Sequence, residues 1–164
     1  MRRRPIVPSF GLAAIFVAVV SGPAAAQDFA LQVGPPVAAA AGTFVKKDSV
    51  LFVVRPGGGC GDPAAARITA TAEGIVNGAR QSVTLKLAPL SPPGVHAVSR
   101  DMPSGGVWVI NLVGTCGGRT AGAIVAMAGP KPEYRREGVK LLTHAATRDE
   151  IEASLKTLTT GGQK

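Results

Sequence analysis

The sequence predicts an all-β protein in which antiparallel strands form a sandwich, followed by a short C-terminal helix. About seven apolar or alternating runs of strand length follow one another at roughly ten-residue spacing, with Gly- and Pro-rich turns between them. A parallel sheet would need helical crossovers, and no segment before residue 135 has helical periodicity. Charged residues make up only 17% of the 164 residues, which argues against a coiled coil.

The first two strands are predicted at residues 29–33 and 49–55. The first run stops at Gly34-Pro35-Pro36, a sequence that ends strands. The second reads Ser-Val-Leu-Phe-Val-Val-Arg and stops at Pro56 and three glycines. A nearly continuous β-branched and aromatic run of this length is typical of a strand that is buried on both faces.

A β-hairpin is predicted around Asn77-Gly78. Apolar and polar side chains alternate over residues 67–74 and again over residues 82–87. Asn-Gly is the strongest two-residue hairpin signal because a type I′ turn needs a positive φ at both central residues. We therefore expect these two runs to pair as antiparallel neighbours.

Three further strands are predicted at residues 95–100, 107–113 and 121–127. The strand at 107–113 is strongly apolar and carries Trp108, the single tryptophan of the chain. The turns between these strands contain Pro or paired glycines, which are the residues that turns favour.

From Gly129 onward the sequence predicts a polar linker and then a short helix. Thr147 and Glu150 have the spacing of a capping box at the start of this helix. Ile151, Leu155 and Leu158 fall on one face of it. We expect the helix to pack loosely on the sandwich or to stay mobile, and a helix that docks a partner is the alternative.

The N-terminus has the three-part order of a secretory signal peptide. Three arginines at positions 2–4 precede an apolar run over residues 10–20, and Ala24-Ala25-Ala26 supplies the small residues of a cleavage site. The apolar run is shorter than the roughly 20 residues that a membrane-spanning helix needs. We therefore predict export to the periplasm or the extracellular space without a stable membrane span, with an uncleaved anchor as the alternative.

The predicted organisation is a signal peptide over residues 1–26, a β-sandwich domain over residues 27–128, and a linker, helix and tail over residues 129–164. Removal of the signal peptide leaves fifteen basic and ten acidic side chains, a net charge of +5. Nucleic-acid-binding proteins cluster their basic residues and interleave aromatic ones. The basic residues here are scattered, so we predict no nucleic-acid partner.

Cys60 and Cys116 are predicted to form a structural disulfide. Two cysteines in a small exported domain normally pair, and glycines beside both of them allow the loops to approach closely. The open alternatives are a redox dithiol, a metal site and a cysteine nucleophile. Redox pairs are usually spaced C-x-x-C, and metal sites need three or four ligands.

The sequence nominates no catalytic residue and no cofactor. Ser99, His96 and Asp101 lie close together, but residues along one strand alternate between its faces. The best metal hypothesis combines His96 with Met102 or Met127 as a soft copper site, although no Met- and His-rich cluster accompanies them.

The segment from Gly94 through Trp108 to Val113 resembles small bacterial Ig-like domains of the cell envelope. In these immunoglobulin- or fibronectin-III-like sandwiches, a Gly-x-Trp strand start buries the indole between two sheets. The resemblance covers about 20 residues and implies a sandwich with Trp108 in its core. It implies no particular function because this fold hosts many. Trp108 lies eight residues before Cys116, which departs from true immunoglobulin domains.

These observations predict a non-catalytic exported accessory or interaction domain of the bacterial cell envelope, whose partner is another envelope protein. A periplasmic copper-binding or copper-carrier protein is the alternative. An enzyme with an unfamiliar site, or docking through the C-terminal tail, are further hypotheses.

Overall fold

Two antiparallel sheets and one helix build the body of the protein. The structure is a computed structural model that describes residues 28–36 and 49–161. The predicted signal peptide lies outside the described residues. Over the described ranges the chain forms nine strands and one α-helix: β1 (Phe29–Gly34), β2 (Val50–Gly58), β3 (Arg67–Val76), β4 (Ala79–Thr84), β5 (Leu87–Pro89), β6 (His96–Ser99), β7 (Val107–Cys116), β8 (Arg119–Ala128), β9 (Val139–Leu142) and α1 (Arg148–Gly161).

The strands form an antiparallel sandwich, which confirms the predicted fold class. Sheet A has the strand order β1-β2-β6-β5, and sheet B has the order β4-β3-β7-β8-β9. Every pairing between neighbouring strands is antiparallel. The main apolar core lies between the two sheets and includes the fully buried side chains of Phe52, Val54, Trp108 and Ile110.

Helix α1 adds a third layer on the outer face of sheet B. Successive side chains of β7 point to opposite faces, so Trp108 belongs to the core between the sheets and Val109 belongs to a second cluster under the helix. Ile151 and Leu155 of α1 are buried in this second cluster. The expectation of a loosely packed or mobile helix is therefore wrong, because α1 buries its apolar stripe against sheet B.

The strand count exceeds the prediction of about seven because two short strands were not anticipated. The alternating run at residues 82–87 crosses between sheets instead of forming one strand. The Leu85 N–H still donates to the Ala70 carbonyl of β3, whereas Leu87 lies opposite Val98 of β6. The second unanticipated strand is β9, which pairs with β8. It lies in the region after residue 128, where a polar linker and a helix were predicted but no strand.

The predicted hairpin is confirmed. Strands β3 and β4 pair from Thr71 opposite Thr84 to Val76 opposite Ala79. Both residues of the turn, Asn77 and Gly78, have positive φ angles, 52° and 78°. This is the backbone that a type I′ turn requires.

The predicted disulfide between Cys60 and Cys116 is confirmed. It joins the segment just after β2 in sheet A to the last residue of β7 in sheet B, with 5.6 Å between the two Cα atoms. The bridge therefore ties the two sheets together at one end of the sandwich.

Trp108 fills the centre of the core, as predicted. It has no exposed surface, and its indole N–H donates to the Gly105 carbonyl at 2.8 Å. Gly74 of β3 lies directly opposite it, and a Cβ atom at Gly74 would lie 2.4 Å from Cε3 of the indole. The missing side chain at Gly74 is therefore what leaves room for the ring.

Replacing Cys60 and Cys116 by Ser should lower the free energy of unfolding by about 4 kcal/mol, because the bridge constrains a long loop in the unfolded chain. Its two ends are 56 positions apart in the sequence. Urea denaturation of the oxidised protein, the reduced protein and the double variant measures the effect. Coincident transitions of all three would contradict a stabilising bridge.

The Gly74→Ala variant should lose about 1–3 kcal/mol of stability, because the new methyl group forces the indole or the strand to move. Gly34→Ala is the matched control, since Gly34 is also in a strand and its added Cβ would meet nothing within 4 Å. The measurement is the thermal unfolding midpoint of both variants. Equal midpoints would show that the Trp108 site accommodates a side chain at position 74.

Candidate functional site

Two of the three candidate copper ligands are core side chains, and the third lies on a strand outside that core cluster. Met102 and Met127 are buried in the core between the sheets, where thioether side chains commonly fill space. His96 is half-buried on β6, and its Nδ1 atom lies 3.1 Å from the Gly94 carbonyl oxygen. Across residues 28–36 and 49–161, no three His, Cys, Asp or Glu side chains cluster where they would hold a metal ion. The copper hypothesis stays a prediction.

Ser99 and Asp101 form a local turn contact. The Ser99 hydroxyl donates to Oδ2 of Asp101 at 2.6 Å and accepts the Lys86 N–H at 3.0 Å. A serine nucleophile would instead direct its proton at a base such as His96. The contacts of Ser99 thus connect β6 to the segment that leads into β5.

A charged cleft of about 450 Å³ lies between α1 and the β3–β4 hairpin. Arg80 of β4 spans it, with Nη2 2.6 Å from Oε2 of Glu73 and Nη1 2.5 Å from Oε1 of Glu152. Hydrogen bonds to these two carboxylates raise the pKa of Arg80. Both terminal amino groups of the guanidinium already have carboxylate partners. We therefore interpret the charged groups of this cleft as structural contacts that hold the helix to the hairpin.

The other side of α1 is held by Glu150. Its Oε2 atom accepts the Thr147 N–H at 3.0 Å, and the Glu150 N–H donates to Oγ1 of Thr147, which confirms the predicted capping box. Oε1 of Glu150 lies 3.0 Å from Nζ of Lys140 on β9. The hydrogen bond from Thr147, followed by the one from Lys140, lowers the pKa of the Glu150 carboxyl group.

An apolar cleft of about 370 Å³ opens on the outer face of sheet A. Sheet A supplies it with residues of β1 and β2, and the turn before β6 supplies the opposite wall. The cleft is lined by Gln32, Val33, Gly34, Pro35, Val53, Arg55, Ser91, Pro92 and Val95. Its volume falls within the range of about 300–1,000 Å³ that small-ligand sites have in proteins.

Among the described residues that line this cleft, Arg55 is the single charged one. Its Nε–H donates to Oε1 of Gln32 at 2.7 Å. Arg55 follows Val53 by two positions on β2, so both side chains lie on the outer face of the sheet. We term the site the Arg55 cleft.

The sequence contains the strands of the Arg55 cleft but does not predict the cleft itself. The available signal was the end of the run at residues 49–55, where an apolar strand finishes on an arginine. The expectation that this strand is buried on both faces is wrong in its second half, where Val53 is half-buried and Arg55 is exposed.

No protein-family model, curated protein or solved structure matches the chain. The resemblance to Ig-like envelope domains therefore stays a prediction. None of the helices in the described part of the chain is both long enough and apolar enough to cross a membrane.

The Glu150→Gln variant should lose less thermal stability than the natural protein between pH 7 and pH 3. Because folding lowers the pKa of Glu150, the carboxylate stabilises the fold above its unfolded pKa of about 4.3, and this contribution is lost as the pH falls through the folded pKa. Glutamine keeps a capping side chain but does not titrate.

The unfolding midpoint, followed by circular dichroism across this pH range, checks this prediction. Glu137→Gln is the matched control, since Glu137 is an exposed carboxylate outside α1. Parallel pH profiles for Glu150→Gln and the natural protein would rule out a contribution of Glu150 to acid sensitivity.

Proposed function

We propose that the protein is a non-catalytic exported accessory domain of the bacterial cell envelope that binds another envelope protein through the outer face of sheet A. The observation that carries this proposal is the unequal covering of the two sheets. Sheet B is covered on its inner face by sheet A and on its outer face by α1. Within the described residues no α-helix covers the outer face of sheet A, and that face carries the Arg55 cleft.

The packing of α1 supports the sheet face as the contact surface in preference to the tail. Ile151 and Leu155 are 5% and 2% exposed because they pack on sheet B. A helix that docks a partner would present such an apolar stripe outward. Ion pairs on both sides, through Arg80 and Lys140, further attach α1 to its own sheet.

Export is supported by two independent features. The N-terminal sequence has a basic start, an apolar run and small residues before Gln27. The Cys60–Cys116 bridge is of the kind that forms and persists in oxidising compartments. Together they favour the periplasm or the extracellular space as the place where the protein works.

Site-specific photocrosslinking in the native host tests the proposed contact face. A photoreactive side chain at Ser91, which is exposed at the margin of the Arg55 cleft, should give an adduct of one defined mass. The same group at Lys156, exposed on α1, is the matched control and should give none.

Mass spectrometry of the adduct should identify one envelope protein, and excess unmodified protein should compete with its formation. Equal adducts from both positions, or an adduct from Lys156 alone, would contradict a contact through sheet A. No adduct from either position would contradict the proposed interaction altogether.

A further inference from the structure

We propose that the Arg55 cleft binds the C-terminal end of a partner polypeptide, with the terminal carboxylate on Arg55 and an apolar terminal side chain between Val53 and Val95. This inference rests on the proposed function, since it specifies the chemistry of the partner.

Gln32 orients the guanidinium group of Arg55. The Gln32 side chain lies flat over Gly57, where a Cβ atom would come within 2.7 Å of its Nε2 atom. From this position its Oε1 atom accepts the Nε–H of Arg55 at 2.7 Å. Since Nε is engaged, the edge of the guanidinium that carries the two terminal amino groups remains for a second partner.

The free edge of Arg55 matches a carboxylate. Among the described residues, its two terminal amino groups have no acceptor, in contrast to those of Arg80, which face Glu73 and Glu152. Two parallel N–H donors fit the two oxygens of a carboxylate in a bidentate pair. Within residues 28–36 and 49–161, no acidic residue lines the cleft, so an anionic ligand meets no like charge from this lining.

The remaining lining of the cleft is apolar. Val53, Val95 and two prolines form its apolar walls, and Gln32 and Ser91 add polar groups. Val33 also borders the cleft, but its side chain packs against the core between the sheets. Burying apolar area against such walls contributes about 25 cal/mol per Å². An apolar side chain is therefore expected beside the carboxylate.

A chain terminus combines these two properties at one carbon atom. The carboxylate and side chain of a C-terminal residue are attached to the same Cα, so both reach adjacent parts of one small cleft. In a free amino acid the same carbon carries an ammonium group, which the nearby Arg55 would repel. A volume of about 370 Å³ accommodates one apolar residue and part of its neighbour.

The test is calorimetric titration of the full, disulfide-bonded protein with the peptide acetyl-Gly-Gly-Val-Leu. We expect saturable binding at submillimolar to millimolar concentrations, and binding of the C-terminal amide of the same peptide should be at least about tenfold weaker. The amide keeps the apolar side chains and removes the charge. Equal affinity of acid and amide, or no binding of the acid at millimolar concentration, would overturn the proposal.

Two variants locate the site. Arg55→Gln should weaken binding of the acid about tenfold and leave binding of the amide unchanged. Arg67→Gln is the matched control, since Arg67 is an exposed arginine at the start of β3 on the other sheet, and it should bind like the natural protein. Thermal unfolding of both variants verifies that they are folded. Unchanged binding of the acid by Arg55→Gln would overturn the assignment.

Hexanoate distinguishes a chain terminus from a free apolar carboxylate. Weaker binding of hexanoate than of the peptide supports a polypeptide end, whereas equal binding overturns it. A Ser91 adduct in cells without any peptide binding in solution would refute this inference and leave the proposed interaction standing. Absence of both would refute the interaction as well.

Discussion

The structure depends on the two-sided apolar character of sheet B. The strands β7 and β8 carry large apolar side chains on both faces, so exposing either face to water would be unfavourable. Sheet A covers the face with Trp108 and Ile110, and α1 covers the face with Val109 and Ile124. The order of the layers follows from this requirement. Because α1 is used to cover sheet B, the outer face of sheet A has no α-helix on it among the described elements.

Two kinds of contact hold α1 on sheet B, and they have different physical roles. Burial of Ile151 and Leu155 provides the attraction, because it removes apolar area from water. The ion pairs of Arg80 and Lys140 lie near the surface, where such pairs contribute little energy. Because they lie on opposite sides of the helix, they define its position on the sheet but add little to its stability. Gly122 of β8 allows the segment before α1 to pack closely on the sheet, since a Cβ atom at this position would lie 2.4 Å from the His144 carbonyl oxygen.

The features that the sequence predicts well are those with a local cause. The Asn77-Gly78 turn and the Thr147–Glu150 cap are each determined by a few adjacent residues, and both form as expected. The disulfide is long-range, but the chain offers one possible pair of cysteines. The expected export of the chain and the pairing chemistry of two cysteines therefore predict it without knowledge of the fold.

The features that the sequence misses depend on contacts between distant segments. Strand β9 is only four residues long, and it forms because the edge of β8 is available to pair with it. The change of sheet near Leu85 leaves the alternation of side chains intact, so the pattern gives no sign of it. The Arg55 cleft is missed for the same reason, because its walls come from β1, β2 and the turn before β6, which are far apart in sequence.

Two arginines of the protein differ in whether their positive charge is neutralised within the fold. Arg80 and Arg55 are both exposed strand residues, but they differ in the partners of their guanidinium groups. Arg80 lies between two carboxylates, so its charge is compensated within the fold. Arg55 donates to the neutral amide of Gln32, which orients the guanidinium group but leaves its charge uncompensated by that contact. A positive charge held in place beside an apolar cleft favours an anionic ligand, and it is this arrangement, more than the size of the cleft, that gives sheet A a chemically specific face.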